Sequence, residues 1–136
     1  MIKTNFHTHT KYCDGKDTPE EMINEAISRG FLALGFSGHS YSKMDESFAM
    51  AEENAARYRR EINYLKEVYN KTIKIYCGIE QDYYSNMPIT GYDYVIGSVH
   101  NVLKDGAQIV VDDSPEGLKE NLQRYYDGNF DDFAED

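Results

Sequence analysis

Apolar residues fall into blocks of two periods along this chain, and the blocks alternate. Residues 2–6 alternate apolar and polar, as a half-buried strand does, and run into His7 and His9. Asp17 to Glu21 then reads as a helix start, with Thr18 as cap, Glu21 returning the bond and Pro19 preset at the first helical position. Met22, Ile23, Ala26 and Ile27 supply a helical stripe, which Gly30 ends. Residues 31–37 form a short, nearly continuous apolar run, the pattern of a strand buried on both faces of a parallel sheet. A second helix is expected over 48–70, where Ala51, Ala55, Tyr58, Ile62, Leu65 and Tyr69 recur at alternating steps of four and three. Glu53, Arg57 and Glu61 lie on another face of it, spaced for solvated ion pairs. The stripe is too short for a coiled coil, so it reads as packing on a sheet.

Residues 72–79 are β-branched and alternating, and 92–99 repeat the buried-strand pattern, which predicts two further strands. The N-M-P-I-T-G stretch between them has no helical period and reads as a loop. K-D-G-A predicts a turn, 108–111 a short extra strand, and Ser114 and Pro115 a helix burying Leu118, Leu122, Tyr125 and Tyr126. After Gly128 a new amphipathic pattern begins with Phe130, Phe133 and Ala134 and stops at Asp136. There is no internal repeat, low-complexity stretch or linker, so 1–136 reads as one domain. Alternating βα units predict a parallel sheet with right-handed crossovers, either open or part of a barrel.

Composition narrows the function rather than the fold. A hydrophobic fraction of 40% and an aromatic fraction of 13% over 136 residues suit a folded domain. The formal charge of −10 repels nucleic acid backbones and anionic membrane surfaces, so neither is expected as a partner. No apolar run has membrane-spanning length and no signal-like core follows the N-terminus, which predicts a soluble, cytoplasmic protein. Cys13 and Cys77 form no C-x-x-C unit and read as reduced thiols.

All four histidines stand where a predicted strand meets a loop, and a glutamate stands at the same kind of place. His7 and His9 close the first strand, His39 ends G-F-S-G-H-S, Glu80 ends I-Y-C-G-I-E and His100 ends Y-V-I-G-S-V-H. Side chains two apart on a strand share a face, so His7 and His9 can approach one ion. Function at the C-terminal ends of strands suits parallel α/β folds, and the shared position points to a metal centre there. The Glu80 carboxylate, following an apolar strand, is suited to bridge two cations and offset their repulsion, the bland alternative being a solvated or ion-paired strand end. Asp14 is a further candidate ligand, with a simple Asp14-Gly15 turn as the alternative. Cys13 reads as a small buried thiol more readily than as a thiolate ligand. Tyr12, Tyr41, Tyr83 and Tyr84 either wall a pocket or pack in the ordinary way.

In order and spacing, H-T-H-T-K-Y-C-D-G-K, G-F-S-G-H-S, G-I-E and Y-V-I-G-S-V-H resemble the first three motif regions of the PHP (polymerase and histidinol phosphatase) superfamily. Within it they are most similar to the monofunctional bacterial histidinol-phosphate phosphatases. The resemblance covers nearly the whole chain. It implies part of a distorted, TIM-like (β/α)7 barrel, up to three divalent ions (zinc, manganese or iron), and hydrolysis of L-histidinol phosphate by metal-bound hydroxide in histidine biosynthesis. It also implies metal ligands at His7, His9, Asp14, His39, Glu80 and His100: His7 and His9 on one ion, Glu80 bridging it to a second, His100 on the second and His39 on a third. Two positions depart from the family pattern. Gly15 stands where some members have a histidine, which leaves that ligand to Asp14, and Gly38 stands where many have an acidic residue before the histidine.

Members of this type run to about twice this length, as a full barrel of ~250 residues requires. The later strands, a further histidine and an Asp-x-His motif are absent here. The chain is therefore expected to be the N-terminal part of such a barrel, pairing with itself or with a complementing C-terminal segment to cover open sheet edges. Lys16 is a candidate contact for the substrate phosphate, a solvated lysine being the alternative. No Ser/His/Asp arrangement or phosphate-binding G-x-x-x-x-G-K-[ST] loop is present, which disfavours a hydroxyl nucleophile and an NTPase. The alternatives to a histidinol phosphatase are another phosphoesterase or nuclease of the superfamily, or a metal-binding module without activity.

Overall fold

A computed structural model describes residues 2–112 and 114–136. The chain divides into two compact units, one reaching to Ser98 and one running from Val99 to Asp136.

The first unit is built on a sheet of four strands in the order β1 (Thr4–Asn5), β2 (Ala33–Phe36), β3 (Lys74–Asp82) and β4 (Tyr94–Ser98), with every neighbouring pair parallel. Strands in sequence order, each parallel to the last, are what right-handed βα crossovers build into a barrel wall, and here they form a curled half-barrel. The first crossover carries α1 (Pro19–Ser28), whose start is the expected capping box: Thr18 accepts from the Glu21 N–H and Glu21 returns to the Thr18 N–H. The second carries α2 (Glu52–Val68), one turn shorter at its start than the periodicity predicts. Ala51 offers no capping oxygen, and residues 48–50 join the connecting loop instead. In the third crossover, residues 83–93 make no helix, as their aperiodic sequence predicts.

One face of the sheet holds the core. Leu34 and Phe36 from β2 and Ile75, Cys77 and Ile79 from β3 pack against Ile23 and Ala26 of α1 and Ala55, Tyr58, Ile62 and Leu65 of α2. Tyr58 is fully buried, and its hydroxyl donates to the Gly78 carbonyl at 2.9 Å, so α2 is tied to β3 by a polar as well as an apolar contact. All four residues of β2 are buried, as its apolar run predicts. β4 differs from its expectation: Val95 is 42% exposed and burial alternates along the strand, because the helix-less third crossover lays no helix of this unit over its outer face.

On the opposite, inner face lie the residues of β3 at even positions, ending in Glu80 and Asp82. Gly35 and Gly78 are required there by a close approach. A Cβ on Gly78 would meet the Tyr94 ring at 2.3 Å and one on Gly35 would meet its hydroxyl at 2.5 Å. The tyrosine thus lies across β3 and β2, and its hydroxyl donates to the Phe6 carbonyl at 2.6 Å.

The second unit begins with an antiparallel hairpin of β5 (Asn101–Lys104) and β6 (Ala107–Val110). Its turn residues Asp105 and Gly106 both have positive φ (51° and 78°), as a two-residue hairpin turn needs. Periodicity predicts the turn and the second strand but not β5, whose N-V-L-K carries only two apolar residues. α3 (Pro115–Tyr126) opens as expected, with Ser114 accepting from the Gly117 N–H, and α4 (Phe130–Glu135) follows. Val102, Ile109, Tyr126 and Phe133 form the core of this unit, flanked by Leu118, Leu122 and Tyr125.

Candidate metal centre

The strand exits of the first unit converge on one carboxylate. Beyond β1, Thr8 donates its hydroxyl to the Gly35 carbonyl at 2.7 Å and its own carbonyl accepts from Ser37 N–H, so the H-T-H segment stays alongside β2. Strand alternation then turns His7 and His9 away from Thr8. Beyond β2, His39 pairs with Glu80 in a parallel bridge: Glu80 N–H donates to the Gly38 carbonyl and Ser40 N–H to the Glu80 carbonyl. Here the structure refines the sequence reading, since β3 does not end at Glu80 but continues to Asp82.

Glu80 is 3% exposed, and three imidazoles meet its Oε2: His7 Nε2 at 3.0 Å, His39 Nδ1 at 3.2 Å and His9 Nε2 at 3.4 Å. Asp14 stands on the other side of two of these rings, its Oδ1 lying 3.4 Å from His9 Nδ1 and 3.7 Å from His39 Nε2. The His9 and His39 rings face each other at 4.3 Å, and His7 and His9 at 5.1 Å. Each imidazole has two nitrogens, so one can ligate an ion while a carboxylate orients the other.

Burial alone would push the Glu80 carboxyl up. The hydrogen bond from His7, the charge of His39 and a hydrogen bond from Ser98 outweigh it and hold Glu80 below the ordinary carboxylate range. Ionised and desolvated, it attracts cations.

The donor set fits divalent metal ions. A carboxylate oxygen offers two lone pairs, yet three ring nitrogens crowd this one, an arrangement that a cation between them relieves. His7, His9 and Glu80 place one donor atom each within 4.8 Å of one another, and His9, Asp14 and His39 do the same. That spread suits bonds of about 2.0–2.2 Å to a shared ion, and imidazole with carboxylate suits zinc, manganese or iron.

The remaining candidates divide. Cys13 is half-buried rather than buried, its Sγ lies 3.7 Å from His9 Nδ1, and desolvation pushes its thiol up. Tyr12 is packing: its ring meets Tyr58 at 5.7 Å and its hydroxyl donates to Glu61, the carboxylate expected in a row with Arg57. Tyr83 is 73% exposed and stacks edge-on against Tyr84. Lys16 is exposed, and His100 belongs to the second unit, where its carbonyl accepts from Val111 N–H.

Gly15 explains why Asp14 takes the place at the rim. The Thr10 carbonyl accepts from both Cys13 and Gly15 N–H, folding the loop back so that a Cβ at residue 15 would lie 2.4 Å from the His9 carbonyl carbon. No side chain fits there, whereas Asp14 points at both imidazoles. Sequence reasoning missed Ser98, Phe48 and Asp82. Ser98 hydrogen-bonds Glu80, and the Phe48 ring lies 4.8 Å from the His39 ring. Asp82 was findable by the period of two from Glu80; Phe48 was hidden by the overlong helix.

Residues 5–131 match the PHP domain family. A probable histidinol-phosphatase of Schizosaccharomyces pombe is 29% identical over 137 aligned residues, covering 86% of this chain and 44% of that protein. The crystal structure of hisK from Listeria monocytogenes, named as a histidinol phosphatase, superposes with a TM-score of 0.71 at 26% identity, covering 86% of this chain and 52% of that one. Histidinol phosphate phosphatase from Lactococcus lactis, in complex with zinc, L-histidinol and phosphate, gives 0.60 at 22% identity over 88% and 50%. The chain thus spans about half the length of the relatives it matches.

Proposed function

We propose a function from one premise: the chain belongs to the PHP domain family. It is a divalent-metal-dependent phosphomonoesterase acting on a small phosphorylated substrate, L-histidinol phosphate, to release L-histidinol and phosphate. The observation that carries this is the convergence of three imidazoles on the buried Glu80 carboxylate, with Asp14 behind two of them. The names of its relatives supply the substrate.

His7, His9 and Glu80 would hold one ion, and Asp14 and His39 would serve another. Glu80 would lie between neighbouring cations, and its charge would offset their repulsion. His100 is proposed as a further ligand on the strength of its G-S-V-H motif. Bound ions supply an activated water near neutral pH and positive charge for the phosphoryl oxygens. Thr8 holds the H-T-H segment beside β2, Ser98 holds the Glu80 carboxylate, and Lys16 would contact the phosphate. The acidic chain selects a small anion held at the metals over a long polyanion. A second copy of the chain covers the open half-barrel, and the site is that of a cytoplasmic enzyme of histidine biosynthesis.

The test is phosphate release from L-histidinol phosphate by protein supplied in turn with manganese, zinc and iron. Turnover with at least one metal, lost in Glu80→Gln, is expected. Stoichiometric metal binding without turnover on any phosphoester would overturn the enzyme reading in favour of a metal-binding module.

A further inference from the structure

A second carboxylate follows Glu80 on the same face of β3. Asp82 is 2% exposed, and a buried carboxylate must find donors. Its Oδ1 accepts from the Tyr84 N–H at 2.8 Å, closing its own turn, and from the Ser42 hydroxyl at 3.2 Å. That second bond reaches the segment just beyond His39.

The bonds around that segment form a ladder. The bridge at His39 and Glu80 uses main-chain groups on both sides. One step further on, the Asp82 N–H donates to Ser40 Oγ at 3.0 Å, and one step beyond that the Asp82 carboxylate takes the Ser42 hydroxyl. Ser42 Oγ in turn accepts from the Met44 N–H at 3.3 Å. Ser40 and Ser42 are both buried, so these bonds do not compete with bulk water. The loop then returns, and the Met50 N–H donates to the His39 carbonyl at 3.2 Å. Gly38, the residue before His39, has no side chain to help, and a Cβ there would come within 3.0 Å of Met50 Cε and 3.3 Å of Cys13 Sγ. Support for His39 therefore comes from across the sheet.

We propose that Asp82 is the positioning residue for His39: its carboxylate pins the segment of residues 40–42 to β3, so that the imidazole meets Glu80 and Asp14 in one orientation. A ligand contributes fully to metal affinity only when its direction is fixed beforehand, and loss of such a partner lowers affinity about 10–100-fold. The proposal refines the metal-centre reading and rests on it only for that affinity.

Three variants test it: Asp82→Ala, Asp82→Asn and Ser42→Ala. The asparagine oxygen can keep both acceptor bonds, so it is the conservative rescue. With four histidines in the chain, the imidazole Cε1–Hε1 correlations of the metal-free protein are resolvable, and His39→Gln assigns the one that matters. Asp82→Ala and Ser42→Ala are expected to shift or broaden the His39 signal and leave that of His7 in place. Cobalt(II) titration followed by visible absorption is expected to show about a 10–100-fold loss of affinity in Asp82→Ala, with Asp82→Asn close to the parent. A folded Asp82→Ala protein with an unmoved His39 signal and unchanged cobalt affinity overturns the proposal. So does an Asp82→Asn protein as weak as the alanine variant with His39 unmoved, since Asp82 would then act by charge. If Asp82→Ala fails to fold, Ser42→Ala decides, because an unperturbed His39 there confines Asp82 to its own turn. Should the parent bind no cobalt, the metal reading falls, while the His39 signal still decides the role of Asp82.

Discussion

Gly15 shows how much one missing atom contributes at the scale of a residue. Because the loop doubles back on Thr10, a methyl group at this position would be driven into the His9 main chain, which cannot yield as a flexible side chain does. Gly15→Ala is expected to destabilise the chain by about 1–3 kcal/mol, the range for overpacking a closed site. Urea unfolding measures it, and an unchanged midpoint would mean that the loop has another path. The same substitution displaces Asp14 from His9 and His39, so metal affinity should fall with stability. The histidine pair and its carboxylates are in this sense positioned by a residue that has no chemistry.

Among the elements, the third crossover is the unusual one, since β3 and β4 are parallel yet no helix joins them. Asp93 does part of the work a helix would do. It accepts from the Cys77 N–H at 2.7 Å and from Lys66 Nζ at 2.7 and 2.9 Å, linking the start of β4 to β3 and α2. Partial burial pushes its carboxyl up, but the Lys66 and Cys77 hydrogen bonds prevail and hold it below the ordinary 3.8. A carboxyl depressed in the folded state stabilises above its unfolded pKa and loses that contribution as pH falls through the folded value. The parent should therefore lose part of its stability on acidification below about pH 4. Asp93→Asn should lack this component, so the two stability curves, well separated at neutral pH, converge in acid. Parallel curves from pH 6 to 2 would show that Asp93 carries no such linkage.

For the molecule as a whole, the decisive fact is that it spans about half of each relative. Its four strands form one wall of a barrel, and the inner face carries Phe6, 40% exposed, with the rings of Tyr76 and Tyr94 5.3 and 5.9 Å away. Among the described residues β1 pairs with β2 alone, leaving its other edge available for a further strand. Aromatic surface beside an open edge favours association, so sedimentation of the chain should show concentration-dependent dimers or larger species. A strictly monomeric, well-folded species rejects self-association. Among the described residues no helix is long and apolar enough to cross a membrane.

By itself the sequence determined the order of βα units, the capped start of α1, the helix-less third crossover and the imidazole and carboxylate side chains near the strand exits. These are local facts, set by the spacing of apolar residues, by capping chemistry and by the pairing of His7 with His9 two residues apart. Only the tertiary structure decided that Glu80 is the common focus of three imidazoles, that Asp14 faces two of them from the other side, and that Asp82 reaches the His39 segment. Contacts between residues such as His7 and Glu80, 73 positions apart in the chain, depend on the register between parallel strands and on where each strand ends. A shift of one residue in that register would turn the same side chains to the opposite face.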